Sequence, residues 1–267
     1  MRAGRRAWVL IASGLVLHGC GATSFQLPPV TAGEALHAAQ EVDTDPSLPL
    51  FHRSDDSYRA MVDRLGAQLV RNVGPLCDFA ATNGCRFRFS YVPDDEVNAF
   101  TGEGGQIYLH RGLLDYLETE DEVAAVMAHE MGHRIGNHIE EDTTSVILGA
   151  LLGALVMGAA ATAGNADADT ANDMTAYGMV LGGAVGRLTF SKEQEREADL
   201  LSVYVLARAG IDLDRAGHLY AVLAKMNEGV EAGWSDSHPA GPQRLVAWRK
   251  AVAEVRASSD QLPDKVP

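Results

Sequence analysis

Positive charge is scarce. Lys and Arg number 22 against 36 Asp and Glu in 267 residues, giving a formal charge of −14. Such a chain is a poor partner for nucleic acid or an anionic membrane surface, since both are met by basic faces. Internal repeats are also missing, which excludes solenoids and propellers. Cysteine occurs only as Cys20, Cys77 and Cys85. The spacing of the last two is not that of a zinc pair. The N-terminal apolar run, Ala7–Leu17, is much shorter than the roughly 20 residues that span a bilayer.

That short run is informative in another way. Arg2, Arg5 and Arg6 precede it, and Leu17-His18-Gly19-Cys20 follows, the pattern of a bacterial lipoprotein leader over residues 1–19. Cys20 would then be the acylated first residue, anchoring the chain to membrane by lipid. Gly21 in place of a retaining Asp implies, by likeness to such lipoproteins, sorting to the outer membrane on its periplasmic side. Loss of the leader removes three positive charges and leaves 248 residues at −17, enough for one well-buried domain. In an oxidising compartment Cys77 and Cys85 would form a disulfide worth roughly 2–3 kcal/mol. The alternative is a pair of free buried thiols.

The chemistry concentrates in Ala128-His129-Glu130-Met131-Gly132-His133. On a helix, His129 and His133 lie one turn apart with about 5–6 Å between Cβ atoms, so both imidazoles reach one zinc ion. Glu130 lies beside them, where a carboxylate can act as general base on metal-activated water. Thr119-Glu120-Asp121-Glu122 reads as a capping box, predicting a helix from about 120 to 137.

A catalytic zinc needs a third protein ligand. The metzincin spacing fails by one residue, because Ile139 occupies the third histidine position and His138 falls short of it. The second helix candidate, Ser191–Asp199, offers Glu193, Glu195 and Glu197. Only Glu195 has an aspartate four residues on, so Glu195 can bind metal while Asp199 fixes the tautomer of a ligating histidine. Glu193 and Glu197 are then expected at the surface.

These blocks, with Ala207–Asp212, Ser237-His238-Pro239, Arg244 and the upstream Asn98-Ala99-Phe100, Gly104-Gly105 and Ile107, resemble the HtpX and CAAX-prenyl-protease family of zinc metallopeptidases, metallopeptidase family forty-eight. The likeness covers roughly 55–257 and is to small periplasmic members. It implies an α+β, predominantly helical, zincin-like (gluzincin) domain with a small sheet, holding one zinc per chain. It implies a zinc metalloendopeptidase acting on unfolded or misassembled envelope polypeptides. His238 would lie at the mouth of the site, stabilising an oxyanion or capping the metal, with Arg244 orienting its loop. Gln106, Ile107, Tyr108 and Leu109 would form an edge strand that pairs with substrate. A capped, latent zinc site in a chaperone or assembly factor is the alternative function.

The rest of the chain reads as scaffold. Residues 20–54 are expected to be a lipidated tether, 55–257 the peptidase domain, and 258–267 a disordered tail. The apolar spacing from Asp55 to Val73 predicts an amphipathic helix, and Arg86–Val92 and Gly105–His110 read as strands. The nearly apolar Val146–Gly164 could just span a bilayer, but reads better as half of a helical hairpin over the cleft.

Overall fold

The structure is a computed structural model that describes residues 23–43, 48–80, 85–138, 154–162, 164, 167–172, 174–176, 190–226, 238, 241–259 and 261–266. Its elements in order are α1 (Ala32–Asp43), α2 (Asp55–Ala80), β1 (Arg88–Val92), β2 (Ala99–Thr101), β3 (Gln106–His110), α3 (Arg111–Leu114), α4 (Glu120–Ile135), α5 (Lys192–Ala209), α6 (Leu213–Ala216), α7 (His218–Met226) and α8 (Pro242–Ala257). The leader and Cys20 lie outside the described residues, as do 146–153 and 163 of the hairpin expected around Val146–Gly164. Residues 154–162 are helical. Among the described residues no helix is long and apolar enough to cross a membrane.

Two capped helices carry the architecture. Thr119 caps α4, taking the Glu122 N–H while Glu122 takes the Thr119 N–H at 2.8 Å. Ser191 and Gln194 build the same box at the start of α5. Each box satisfies two backbone donors that a helix start leaves orphaned. Gly210, at φ 72°, ends α5. Both helices are buried over most of their length, charged residues included, as central elements. They pack most extensively on each other, with α2 and α8 against α5 and the sheet against α2 and α4.

At the α4–α5 crossing a Cβ on Gly132 would stand 2.5 Å from the Ala198 carbonyl oxygen and 3.0 Å from its Cα. Glycine at 132 therefore sets the closest approach of the two helices. That approach brings the flanking polar side chains of α4 and α5 into one space.

The sheet has strand order β1-β3-β2, with β3 parallel to β1 and antiparallel to β2. This corrects the edge-strand expectation for Gln106–Leu109. β3 is central, and Ile107, Tyr108 and Leu109 are paired on both sides, so their backbone cannot also hold a substrate. The edge beside α4 is β2, too short for periodicity to reveal.

Chain ends also differ from expectation. Phe25 is buried and bridges to Lys265, Gln26 N–H donates to the Asp264 carbonyl, and Val266 N–H donates to that of Ser24. α1 packs on α8 through buried Ala38 and Val42 and through the Glu34–Lys250 and Glu41–Arg249 ion pairs. Thus 23–43 do not hang as a free tether, and the described part of 258–267 is ordered. Apolar burial of Phe25, Val42 and Leu262 is the physical reason. Cys77 and Cys85 form a disulfide that ties α2 to the approach of β1, Cα to Cα 5.8 Å.

Gly132→Ala should force backbone apart at the crossing and cost about 1–3 kcal/mol of stability. Equilibrium denaturant unfolding checks it, and an unchanged midpoint would refute the close-approach reading.

Candidate metal centre

α4 and α5 bring three buried donors together, and His238 adds a fourth. Ligand atoms of His129, His133, Glu195 and His238 all lie within 4.8 Å of one another. The two imidazoles face each other, Nε2 to Nε2 at 3.0 Å. Glu195 Oε2 is 3.5 Å from His129 Nε2, and Oε1 is 3.3 Å from His133 Nε2.

Hydrogen bonding behind the imidazoles decides what they present. Asp199 Oδ1 lies 2.9 Å from His129 Nδ1 and accepts its N–H, leaving the Nε2 lone pair for the cluster. His138 Nδ1 stands 3.1 Å from His133 Nδ1, and His138 Nε2 is 2.8 Å from Glu197 Oε2. Glu197 is fully buried, its Oε1 already accepting the N–H groups of Ser24 and Phe25 at 2.5 and 2.8 Å. This overturns the surface expectation for Glu197, whereas Glu193 is exposed. Rotation of about 200° along α5 points Glu197 away from Glu195 and toward the buried N-terminal segment.

Arg244 supplies the opposing charge. It donates from Nε and Nη2 to the two Asp199 oxygens, both at 2.7 Å, and its Nη1 is 2.8 Å from Glu195 Oε2. It also approaches the His238 carbonyl at 3.5 Å. Tyr220 OH donates to Asp199 Oδ1 at 2.7 Å. Nothing in the sequence pointed to Tyr220, which arrives from α7 by tertiary packing alone.

Burial opposes charge on Glu195, but the imidazole of His238 and the Arg244 guanidinium hold its carboxyl well below the usual range. Burial likewise opposes charge on Asp199, and Arg244 with His129 outweighs it. His129 resists burial through Asp199 and Glu195 and is pushed up to about 9. Burial drives His133 well below its ordinary value, with His129 and His238 adding repulsion against the pull of Glu195. A cation at the centre would displace the His129 proton.

Glu130 stands beside this cluster. Its Oε2 accepts from Thr101 Oγ1 at 3.0 Å and its Oε1 is 3.5 Å from His238 Nε2. The Thr101 contact joins β2 to α4, and only the three-dimensional neighbourhood could show it. The Phe190 ring stacks on His133 at 3.9 Å between centroids. Gln106, Ile107, Tyr108 and Leu109 do not join the cluster.

The donor set fits a divalent metal. Two ring nitrogens at 3.0 Å need a proton or a metal ion between them, and among the described residues neither buried Glu195 oxygen has an aligned hydrogen-bond donor. Two imidazoles and a carboxylate are a known zinc set, and His238 is a fourth donor within reach.

A model of peptidase family M48 matches residues 63–252. The mitochondrial metalloendopeptidase OMA1 of Arabidopsis thaliana is 32% identical over 165 residues, 60% of this chain and 30% of its own length. The beta-barrel assembly-enhancing protease of Escherichia coli K12 is 33% identical over 197 residues, 68% of this chain and 37% of its own length. Metalloprotease LoiP of the same strain is 28% identical over 255 residues, 90% of this chain and 93% of its own length. The chain thus spans about a third of the first two relatives and nearly all of the third.

Arg244→Leu should destabilise the chelator-treated protein by about 3–5 kcal/mol at neutral pH, because two buried carboxylates lose their cation. In the parent both have depressed pKa values, so their contribution is present above about pH 4 and lost as pH falls through and below that range. The deficit of the variant should therefore shrink from pH 6 toward pH 3 in denaturant titrations.

Proposed function

The chain belongs to peptidase family M48, and from that premise we propose that it is a metalloendopeptidase that cleaves unfolded or misassembled polypeptides of the bacterial cell envelope, with zinc held by His129, His133 and Glu195. The observation that carries the assignment of ligands is the convergence of two imidazole lone pairs and a buried carboxylate in one pocket.

Zinc held there supplies Lewis acidity, which acidifies water and polarises a peptide carbonyl. Glu130 takes the proton from the attacking water and returns it to the leaving amine. Thr101 orients the carboxylate through its Oε2, so the other oxygen faces the reaction. Asp199 holds His129 by Nδ1, and Arg244 fixes Asp199 and Glu195 together. An extended substrate would add as a strand on the outer edge of β2, which has no strand on that side among the described residues. Pairing there uses backbone alone, which suits unfolded chains of many sequences.

The envelope setting draws support from two sides. Residues 1–19 read as a lipoprotein leader, with Cys20 as the acylated residue that follows it. One relative bears the name beta-barrel assembly-enhancing protease. Lipid anchorage at the outer membrane, facing the periplasm, follows from the leader reading.

A second reading is favoured by one contact. His238 belongs to the buried donor cluster and lies 3.5 Å from Glu130. With His238 as fourth ligand the zinc would have no open position, and the protein would act as an assembly factor.

Glu130→Gln should retain one zinc per chain and lose casein hydrolysis by about 10²–10⁴-fold. Glu195→Ala should lose zinc and activity together in metal analysis of purified protein. Parent-like hydrolysis by Glu130→Gln would end the general-base role of Glu130, whereas lost hydrolysis with unchanged function in cells would favour the assembly-factor reading.

A further inference from the structure

His133 lacks a direct carboxylate partner of the kind His129 has in Asp199. Its Nδ1 meets His138 instead, and His138 leads on to Glu197. Glu197 meets the backbone of Ser24 and Phe25, which the C-terminal residues Asp264–Val266 hold in place. We propose that His138 and Glu197 are positioning residues for His133, and that the paired chain ends, through Ser24 and Phe25, hold Glu197 in that role. The inference rests on the zinc reading above.

The direction of every hydrogen bond along this route is fixed from its outer end. Glu197 Oε1 accepts two backbone N–H groups, which can only donate. Its Oε2 accepts from His138 Nε2, and in the neutral ring the other nitrogen of His138 then carries a lone pair. That lone pair accepts the His133 Nδ1–H, and His133 Nε2 is left to face His129 Nε2. A carboxylate thus sets the tautomer of His133 from two side chains away.

Local sequence is arranged for this. Asn137 takes the left-handed conformation at φ 65°, which an asparagine tolerates better than most residues. The chain turns back after α4, and His138 lies over the helix end. A Cβ on Gly136 would stand 2.5 Å from His138 Nε2 and 2.8 Å from its Cε1, so only glycine leaves room for the ring. His138 and Glu197 are both fully buried, where an unsatisfied polar group is costly. Neither has a role in moving the substrate proton, so their burial otherwise goes unexplained.

The chain ends enter through backbone donors. Ser24 is exposed, yet its N–H reaches the buried Glu197 carboxylate. The segment that follows the proposed lipid anchor is therefore hydrogen-bonded into the support of a metal ligand. Pull on, or release of, that segment would be felt as weaker zinc binding.

The test is zinc affinity of the full-length protein, read by competition with a metal chelator, beside the thermal midpoint of the zinc-free form. His138→Leu and Glu197→Gln should each bind zinc about 10–100-fold more weakly than the parent, the usual cost of losing an outer partner of a ligating histidine. His138→Gln can donate to Glu197 and accept from His133, so it should recover most of that loss. Ser24→Pro removes one donor to Glu197 at an exposed position and should give a smaller loss with no fall in the zinc-free midpoint. Parent-like affinity in Glu197→Gln overturns the proposal, as does equal weakening by His138→Gln and His138→Leu. Parent-like affinity in Ser24→Pro overturns the part assigned to the chain ends. Should His138→Leu fail to fold, Glu197→Gln and His138→Gln still decide the matter. If the parent binds no zinc, or Glu195→Ala binds it as tightly as the parent, the zinc reading itself fails instead.

Discussion

Two imidazole nitrogens facing each other across 3.0 Å, fully buried, form the arrangement on which the rest of this structure depends. Such a pair needs a proton or a metal ion between its nitrogens, and the hydrogen bonds behind each ring prevent either ring from turning away. A buried carboxylate beside them, both oxygens without an aligned donor, adds to the frustration. One divalent cation relieves all three at once. The fold around the site is best understood as a device for holding these groups in that state before metal arrives, so that little reorganisation accompanies binding.

Holding them requires charge control in a place that water does not reach. Glu195, Asp199 and Glu197 are all buried, as is Arg244. Arg244 meets two of the carboxylates with three nitrogens, a planar match that a lysine could not provide. Glu197 is served differently, by two backbone N–H groups and an imidazole. The division follows from geometry. Glu195 and Asp199 lie one turn apart on the same face of α5 and can share a guanidinium, whereas Glu197 lies on the opposite side and must find donors elsewhere.

Local signals made part of this legible in the sequence. The capping box at Thr119, the one-turn spacing of His129 and His133, and the Glu195–Asp199 step all express helix periodicity, which depends on neighbours within a few residues. Strand order does not. Gly104-Gly105 marks the entry to β3, but nothing local tells that β1 pairs on one flank and β2 on the other, so Gln106–Leu109 looked like an edge and proved central. Glu197 looked like a surface residue because an acidic run on a helix usually is one. Its partners, Ser24 and Phe25, lie more than 170 residues away. Tyr220 and Thr101 are opaque for the same reason, since each contributes one hydroxyl whose meaning exists only after packing.

The two imidazoles proposed as metal ligands are tuned in different ways. His129 has a carboxylate in direct contact, which strengthens it as a donor, but Arg244 shares that carboxylate and draws part of the effect away. His133 has its carboxylate at one remove, unshared with any guanidinium and reached through a second imidazole. Glu195, shared with Arg244, would give a bound metal less electron density than a carboxylate in isolation. A metal held there would keep much of its charge for acidifying water, because two of the strongest contributors to neutralising it are already engaged. Affinity must then come from preorganisation, and here that extends from α4 and α5 out to the two ends of the chain.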